Sequence, residues 1–112
     1  MTAGKLNINI DRNADYNIQV AITEDDGTTP VDLTGYTFAA DIREDYDQPV
    51  LTSFEVSAVD LANGVISLLL TDEKSELLPI ERGVWDLKMT DTSDFVQYVL
   101  RGRVLLNNRV TA

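Results

Sequence analysis

The feature that most constrains this chain is a pair of alternating apolar segments separated by Gly and Pro. Apolar residues occupy every second position from Tyr16 to Ile22 and again from Tyr36 to Ile42, with Asp26-Gly27 and the segment Pro30–Gly35 between them. A period of two places apolar side chains on one face of a strand, and Gly and Pro favour turns. The pattern predicts strands with one buried and one solvated face, which is typical of an antiparallel sheet.

Most of the remaining chain repeats this pattern and predicts an all-β fold. The segment 65–71 is nearly all apolar, which predicts a central strand covered on both sides. Turn residues recur at intervals of roughly 8–12 residues, as in a β-sandwich. Acidic residues at Asp72-Glu73 and a Pro at position 79 favour a short helix, which would carry the chain from one sheet to the other. We expect one domain over residues 1–112, a seven-stranded antiparallel β-sandwich with one helical crossover. The predicted strands lie near residues 5–10, 16–24, 36–43, 50–58, 65–71, 83–90 and 95–107, and the helix lies near 72–78.

Two strands near the C-terminus carry the most specific expectations about side-chain direction. Trp85 alternates with apolar residues, which predicts a core position; a role in sugar stacking would require the opposite face. In the last strand we expect Tyr98 on the apolar face, together with Val96, Leu100, Val104 and Leu106. Gly102, in the middle of that strand, predicts a bulge or a close approach of another backbone.

Composition excludes several kinds of chemistry. The 112-residue chain contains no Cys and no His. Catalytic Ser-His-Asp or Cys-His groups, disulfides and the usual zinc sites therefore cannot form. Asp-rich turns offer oxygen ligands to Ca²⁺, but Asp, Asn and Gly are also the standard turn residues and no EF-hand pattern is present. We expect no catalytic residues, no cofactor and no metal site.

The charge is large, negative and uneven. A net charge of −10 repels phosphate backbones, so nucleic acid is not expected as a partner. No apolar run approaches the ~20 residues of a membrane span, and no secretory signal is expected at the start. Residues 1–60 carry three Lys or Arg against twelve Asp or Glu (−9), whereas residues 61–112 carry six against seven (−1).

Two residues of the acidic loop at 44–49 and three arginines are candidate contact residues. Tyr46 and Gln48 lie in the loop, where a Tyr is either simply solvated or part of a contact surface. Arg101 and Arg103 are expected on the outward face of the last strand, near Arg109. They either pair across strands with Asp86 or neighbouring acids, or contact an acidic surface of another copy, as a head-to-tail ring requires.

The first strand supplies Leu6 and Ile8 as further candidates. A short strand near a chain terminus either completes its own sheet or adds to the sheet edge of a neighbour.

A series of short motifs occurs in a recognisable order. Pro-Val-Asp-Leu-Thr-Gly (30–35) is followed by Asn-Gly-Val-Ile-Ser-Leu (63–68), then by Leu-Thr-Asp-Glu (70–73) with Leu-Leu-Pro (77–79), by Gly-Val-Trp-Asp-Leu (83–87) and by Leu-Arg-Gly-Arg-Val (100–104). The ordered set, over roughly residues 8–108, resembles the Ig-like β-sandwich domain of tailed-bacteriophage virion proteins. Members of that family include tail-fibre collar or adaptor proteins and the N-terminal domain of upper baseplate proteins.

The resemblance implies a non-enzymatic virion protein, assembled in the host cytoplasm, that binds other virion proteins and copies of itself. Because it covers nearly the whole sequence, we expect a stand-alone subunit of a tail, baseplate or neck ring, or a fibre adaptor. The alternative is an extracellular carbohydrate-binding or adhesin module. That alternative would be favoured if Trp85 and Tyr98 were exposed together on one flat face.

Overall fold

The computed structural model describes residues 4–24 and 26–108. Within these residues the chain forms nine strands, one short α-helix and one 3₁₀ turn. The strands are β1 (Gly4–Lys5), β2 (Ile8–Asp11), β3 (Tyr16–Ala21), β4 (Thr37–Arg43), β5 (Val50–Ser53), β6 (Glu55–Asp60), β7 (Val65–Leu70), β8 (Arg82–Thr90) and β9 (Val96–Asn107). The helix α1 spans Asp72–Glu76 and the 3₁₀ turn spans Leu61–Asn63. No helix in the described part of the chain is long and apolar enough to cross a membrane.

The strands form two sheets. The large sheet has the order β1-β9-β8-β4-β5, and the small sheet has the order β3-β7-β6. Strand β2 pairs with the same edge of β9 as β1 does, further along β9 toward its C-terminal end. Neighbours are antiparallel except that β1 and β2 run parallel to β9. These orders match strands G-F-C-C′ and B-E-D of an Ig-like sandwich. The predicted β-sandwich is confirmed, and α1 carries the chain from the small sheet to the large one, as expected.

Three details of the predicted fold are wrong. There are nine strands in the described residues rather than seven, because two predicted strands are each divided. The strand near 5–10 is interrupted at Leu6 and Asn7, and it is parallel to its neighbour rather than antiparallel. The strand near 50–58 leaves the large sheet at Phe54 and continues in the small sheet. Phe54 is 6% exposed and its ring meets that of Trp85 at a centroid distance of 5.7 Å. Burying this ring in the core accompanies the change of sheet.

The core is a single apolar cluster between the two sheets. Alternate residues of β4, β7 and β8 point into it, and β4 and β8 alternate in the sequence accordingly. The sequence of β7 is nearly all apolar, but only one of its faces is buried: Val65, Ser67 and Leu69 are half-buried, so this strand is not covered on both sides as predicted. Trp85 is 2% exposed, which confirms its predicted core position. The buried apolar residues are Ile8, Ile10, Val20, Ile22, Val31, Leu33, Ala40, Ile42, Phe54, Ile66, Leu68, Leu70, Leu78, Ile80, Trp85, Leu87, Met89, Val99, Val104 and Leu106.

Candidate functional site

The solvent-facing side of the large sheet, which we call the outer face, concentrates charged and aromatic side chains. Strand alternation produces it, because each outward residue has neighbours in the strand that point into the core. The outer face carries Lys5 of β1, Asp41 and Arg43 of β4, Val84, Asp86 and Lys88 of β8, and Tyr98, Arg101 and Arg103 of β9.

Four charged residues of the outer face lie in one row across four neighbouring strands. Asp41 is opposite Asp86, Asp86 is opposite Arg101, and Arg101 is opposite Lys5. We call this set the charge row; its order is acid, acid, base, base. The register places Arg101 opposite Asp86, as the cross-strand alternative stated above for that arginine requires.

The two acids of the charge row are unfavourable neighbours, since like charges directly opposite in a sheet repel each other. Partial burial, and then the Asp41 carboxylate, raise the pKa of Asp86 above its usual value. Arg101, Arg43 and Lys88 act in the opposite direction without cancelling this effect. Asp41 also accepts a hydrogen bond of 2.6 Å from the hydroxyl of Ser53. Within the subunit, the nearby positive charges therefore only partly compensate the negative charge of Asp86.

A cleft of about 140 Å³ opens at the two acids. Tyr46 and Tyr98 contribute aromatic rings to it, and their side chains are 69% and 45% exposed. Exposed Tyr beside Arg is the composition enriched where proteins contact one another. The residues lining the cleft are Asp41, Arg43, Tyr46, Val84, Trp85, Asp86, Tyr98 and Arg101.

The outward position of Tyr98 corrects the prediction that it faces the core. The β8–β9 pairing shifts so that Leu87 is opposite Leu100 while Lys88 is opposite Tyr98, leaving Val99 as an extra residue. Such a bulge reverses the alternation on one side of it. Val99 is accordingly buried, whereas Tyr98 is exposed, and so is Val96, which was also predicted to face the core. No turn or glycine marks this position, so the sequence offered no signal for the bulge.

Gly102 marks a close approach of backbone, one of the two predicted alternatives. A Cβ at this position would lie 1.8 Å from the carbonyl oxygen of Leu6. The same oxygen accepts a hydrogen bond of 2.8 Å from Nε1 of Trp85, and the amide of Leu6 donates to the carbonyl of Arg101 at 2.9 Å. The predicted first strand, which forms β1 and β2, therefore completes its own sheet. The side chain of Ile8 is 4% exposed, so its prediction as a contact residue is corrected: it is a core residue.

The acidic loop lies beside the outer face. The amide of Gln48 donates to the carbonyl of Asp45 at 3.1 Å, and the guanidinium of Arg43 donates to the carbonyl of Gln48. These contacts hold the loop in a tight turn next to β4. Arg109 lies outside the described residues.

A second cleft brings loop acids and strand arginines together. Glu44 and Asp45 line it with Arg82 and Arg103. Acidic and basic groups thus share one side of the subunit, whereas a head-to-tail contact through complementary charges would need them on opposite sides.

The Asp-rich turns use their carboxylates to hold backbone. Asp26 accepts hydrogen bonds from the amides of Thr28 and Thr29 and from the hydroxyl of Thr29. These bonds lower the pKa of Asp26 to about 2. The carboxylate of Asp91 likewise accepts from the amides of Ser93 and Phe95. Among the residues that the structure describes, no group of three or more Asp, Glu, His and Cys could hold a metal ion.

Comparison with known proteins shows the fold and nothing narrower. No family model matches the chain, and no curated protein matches it. The N-terminal domain of phage TP901-1 ORF48 is similar in structure, with a TM-score of 0.56 and 13% identity over 96% of this chain and 99% of that one. The extracellular domain of the voltage-gated sodium channel β4 subunit is also similar, with a TM-score of 0.53 and 8% identity over 98% of this chain and 97% of that one. That domain is described as forming parallel homodimers that explain a role in cell–cell adhesion.

Proposed function

We propose that this chain is a non-enzymatic structural protein of a tailed-phage particle, a tail, baseplate or neck ring subunit or a fibre adaptor. The observation that carries the proposal is the similarity in fold to a phage domain, which extends over 96% of this chain and 99% of that domain. Independently, the ordered motifs between residues 30 and 104 resemble those of tailed-phage virion proteins. In this proposal the chain acts by binding other virion proteins and copies of itself.

A binding role agrees with the chemistry of the outer face. Its cleft combines Tyr46 and Tyr98 with Arg43 and Arg101. Tyr and Arg carry much of the energy of protein–protein contacts because they combine large apolar area with directional hydrogen bonding. A sequence without His or Cys also lacks the nucleophile–base pairs that are commonest in hydrolases.

The test is to look for the protein in particles. Phage lysate from the bacterium that carries the gene would be fractionated on a density gradient, and the particle band analysed by quantitative mass spectrometry. We expect the chain in the band at a fixed ratio to the major tail protein, with an antibody against it labelling one position in electron micrographs. Abundant chain in the lysate but none in purified particles would overturn the proposal.

An adhesin or carbohydrate-binding module is a second candidate. Tyr46 and Tyr98 on one cleft favour it, and a structurally similar domain is described in terms of adhesion. The arrangement that would favour it most, Trp85 exposed beside Tyr98, is absent because Trp85 is 2% exposed. The check is retention on immobilised cell-wall polysaccharide. Retention that is lost in Tyr46→Ala and Tyr98→Ala would favour this candidate over the particle role.

A further inference from the structure

We infer that the outer face binds the outer face of a second copy, related by a two-fold axis that runs along the strands. This inference rests on the proposal that the chain binds copies of itself, and it names the surface and the symmetry. The observation behind it is the charge row, which reads Asp41, Asp86, Arg101, Lys5 across four adjacent strands. Two acids followed by two bases form a pattern that becomes its own complement when it is reversed.

The two-fold axis performs that reversal. Placed over the boundary between β8 and β9, it brings β8 of one copy over β9 of the other, and β4 over β1. Asp86 then faces the mate's Arg101, and Asp41 faces the mate's Lys5. Each of these contacts occurs twice, as in any isologous interface. Two large sheets stacked in this way have their strands roughly aligned, an arrangement that twisted sheets readily adopt.

In the single subunit, Asp86 is partly buried beside a like charge; the dimer adds a positive charge next to it. Asp86 has Asp41 beside it and is partly withdrawn from water. A second arginine, from the mate, adds a positive charge on the open side of this carboxylate. Charge-assisted hydrogen bonds between guanidinium and carboxylate are among the stronger polar contacts in proteins. They also fix the register of an interface.

The area that the two copies share is close to the lower end of the range for stable dimers. With the axis between β8 and β9, the four strands β4, β8, β9 and β1 at a spacing of about 4.8 Å, and nine residues of β8 at about 3.3 Å each, give roughly 19 × 30 Å, or about 570 Å². A standard interface buries about 800 Å² on each partner. Apolar surface is available as well, since Val96, Tyr98 and Leu105 of β9 are 47%, 45% and 47% exposed.

Other partners fit the charge row less well. An acidic surface would meet Asp41 and Asp86, and a basic surface would meet Arg101 and Lys5, so either would place like charges together over half of the row. A head-to-tail stack of copies would bring the row against the small sheet. The outward residues of that sheet include Glu55 and Ser57 of β6 with Asn17 and Gln19 of β3, a set with no alternation of charge.

The first measurement is the mass of the full chain in solution by light scattering and sedimentation at low and high salt. We expect twice the 12.4 kDa mass of the chain at low salt, with dissociation as salt rises. A monomer at every salt concentration, up to millimolar protein, would overturn the inference. A monomer that is nevertheless found in particles would contradict the dimer and leave the particle role standing. A dimer that is absent from particles would support the dimer and contradict the particle role.

Charge-reversal variants test the symmetry itself. Asp86→Arg and Arg101→Asp each place like charges together across the axis, and we expect each alone to weaken the dimer at least about tenfold. Mixing the two variants makes all facing charges opposite again, so a 1:1 heterodimer should form. The double variant Asp86→Arg/Arg101→Asp restores complementarity within one chain and should form a homodimer. Glu55→Arg, on the small sheet, makes the same change of charge and should leave the wild-type mass unchanged.

The mixing result separates the interface from folding. Circular dichroism would establish that each single variant is folded before mixing. A heterodimer that forms only on mixing supports the two-fold interface, and single variants that stay dimeric would overturn it. If a single variant fails to fold, the double variant carries the test: a folded double variant that remains monomeric at low salt contradicts the inference.

Discussion

The indole N–H of Trp85 donates a hydrogen bond of 2.8 Å to the main-chain carbonyl of Leu6, 79 residues earlier in the sequence. This bond joins the middle of β8 to the point where the first predicted strand is interrupted. It passes over Gly102, which leaves room for the Leu6 carbonyl because it has no Cβ. Trp85 and Gly102, opposite each other in register, together hold the first strand on the sheet.

Trp85→Phe should therefore loosen the first strand as well as the core. The change removes a donor from the Leu6 carbonyl and leaves a cavity beside Phe54, so we expect a loss of about 2–4 kcal/mol in the free energy of unfolding. Urea denaturation measures the loss. Hydrogen exchange should show reduced protection at the Leu6 amide, which donates to Arg101.

Tyr98→Phe is the control for Trp85→Phe, because Tyr98 is 45% exposed on the outer face. It should change the free energy of unfolding by less than about 0.5 kcal/mol. If Trp85→Phe destabilised the protein while the Leu6 amide kept its full protection, the indole would be core filling and not a tie to the first strand.

Gly102→Ala should displace the first strand. Its Cβ would lie 1.8 Å from the carbonyl oxygen of Leu6, and that neighbour is backbone, which cannot rotate away. We expect a cost of at least about 2 kcal/mol and loss of protection along β1 and β2. Gly4→Ala is the matched control, because its Cβ would meet the flexible end of Leu100 at 3.2 Å and the carbonyl oxygen of Val99 at an ordinary contact distance of 3.7 Å. Equal effects of the two substitutions would contradict the close approach as the reason for Gly102.

The parts of the fold that could be predicted depend on local alternation. The strands β4, β8 and β9 were predicted to within about two residues at each end, because each presents an alternating face to the core and ends at turn residues. The helical crossover was predicted from acidic residues and a Pro that lie within eight positions of one another. The two-sheet architecture follows from the number and spacing of such strands.

The features that could not be predicted depend on pairing between distant strands. The extra residue Val99 in β9 becomes apparent only when β8 is laid beside it, and it is what turns Tyr98 outward. The charge row joins Lys5 to Arg101, 96 positions apart, through the register of a parallel pair. A slip of one residue would send Arg101 to the other face. The positions of the acids and bases in the sequence showed that they are unevenly distributed, but not that they share one face of the sheet.

Acid stability should depend in part on Asp26. Its pKa is about 2 in the folded chain, below the ordinary 3.8, and the hydroxyl of Thr29 is the first cause. Asp26 therefore binds a proton more readily in the unfolded chain than in the folded one. Its contribution to stability is complete above pH 3.8 and is lost as the pH falls toward 2. Asp26→Ala should remove this part of the pH profile. The difference in unfolding free energy from wild type should be constant above about pH 4 and shrink below it.

Thr29→Val supplies the control for Asp26, since it removes the hydroxyl donor but keeps the backbone amide that also binds the carboxylate. A carbon-detected NMR titration of the Asp26 carboxyl group should find its pKa between the wild-type value and the ordinary one. A titration midpoint unchanged by Thr29→Val would show that the hydroxyl is not the main cause.

Asp86→Asn should affect folding and association in opposite directions. Burial and Asp41 raise the pKa of Asp86, so the folded subunit holds its proton more tightly than the unfolded chain does. Ionised Asp86 therefore lowers stability above its folded pKa, and this penalty disappears as the pH falls to the ordinary 3.8. Arg43, Lys88 and Arg101 reduce the penalty but leave its sign unchanged.

At pH 7 and high salt, where we expect a monomer, Asp86→Asn should raise the free energy of unfolding, and the gain should fade as the pH approaches 3.8. At low salt the same substitution should weaken the dimer, because the mate's Arg101 loses a charged partner. Glu55→Gln, which neutralises an acid on the small sheet, should do neither. Urea denaturation at high salt and sedimentation at low salt separate the two effects. A variant that is less stable than wild type at pH 7, or one that dimerises more tightly, would be incompatible with an uncompensated Asp86 at a two-fold interface.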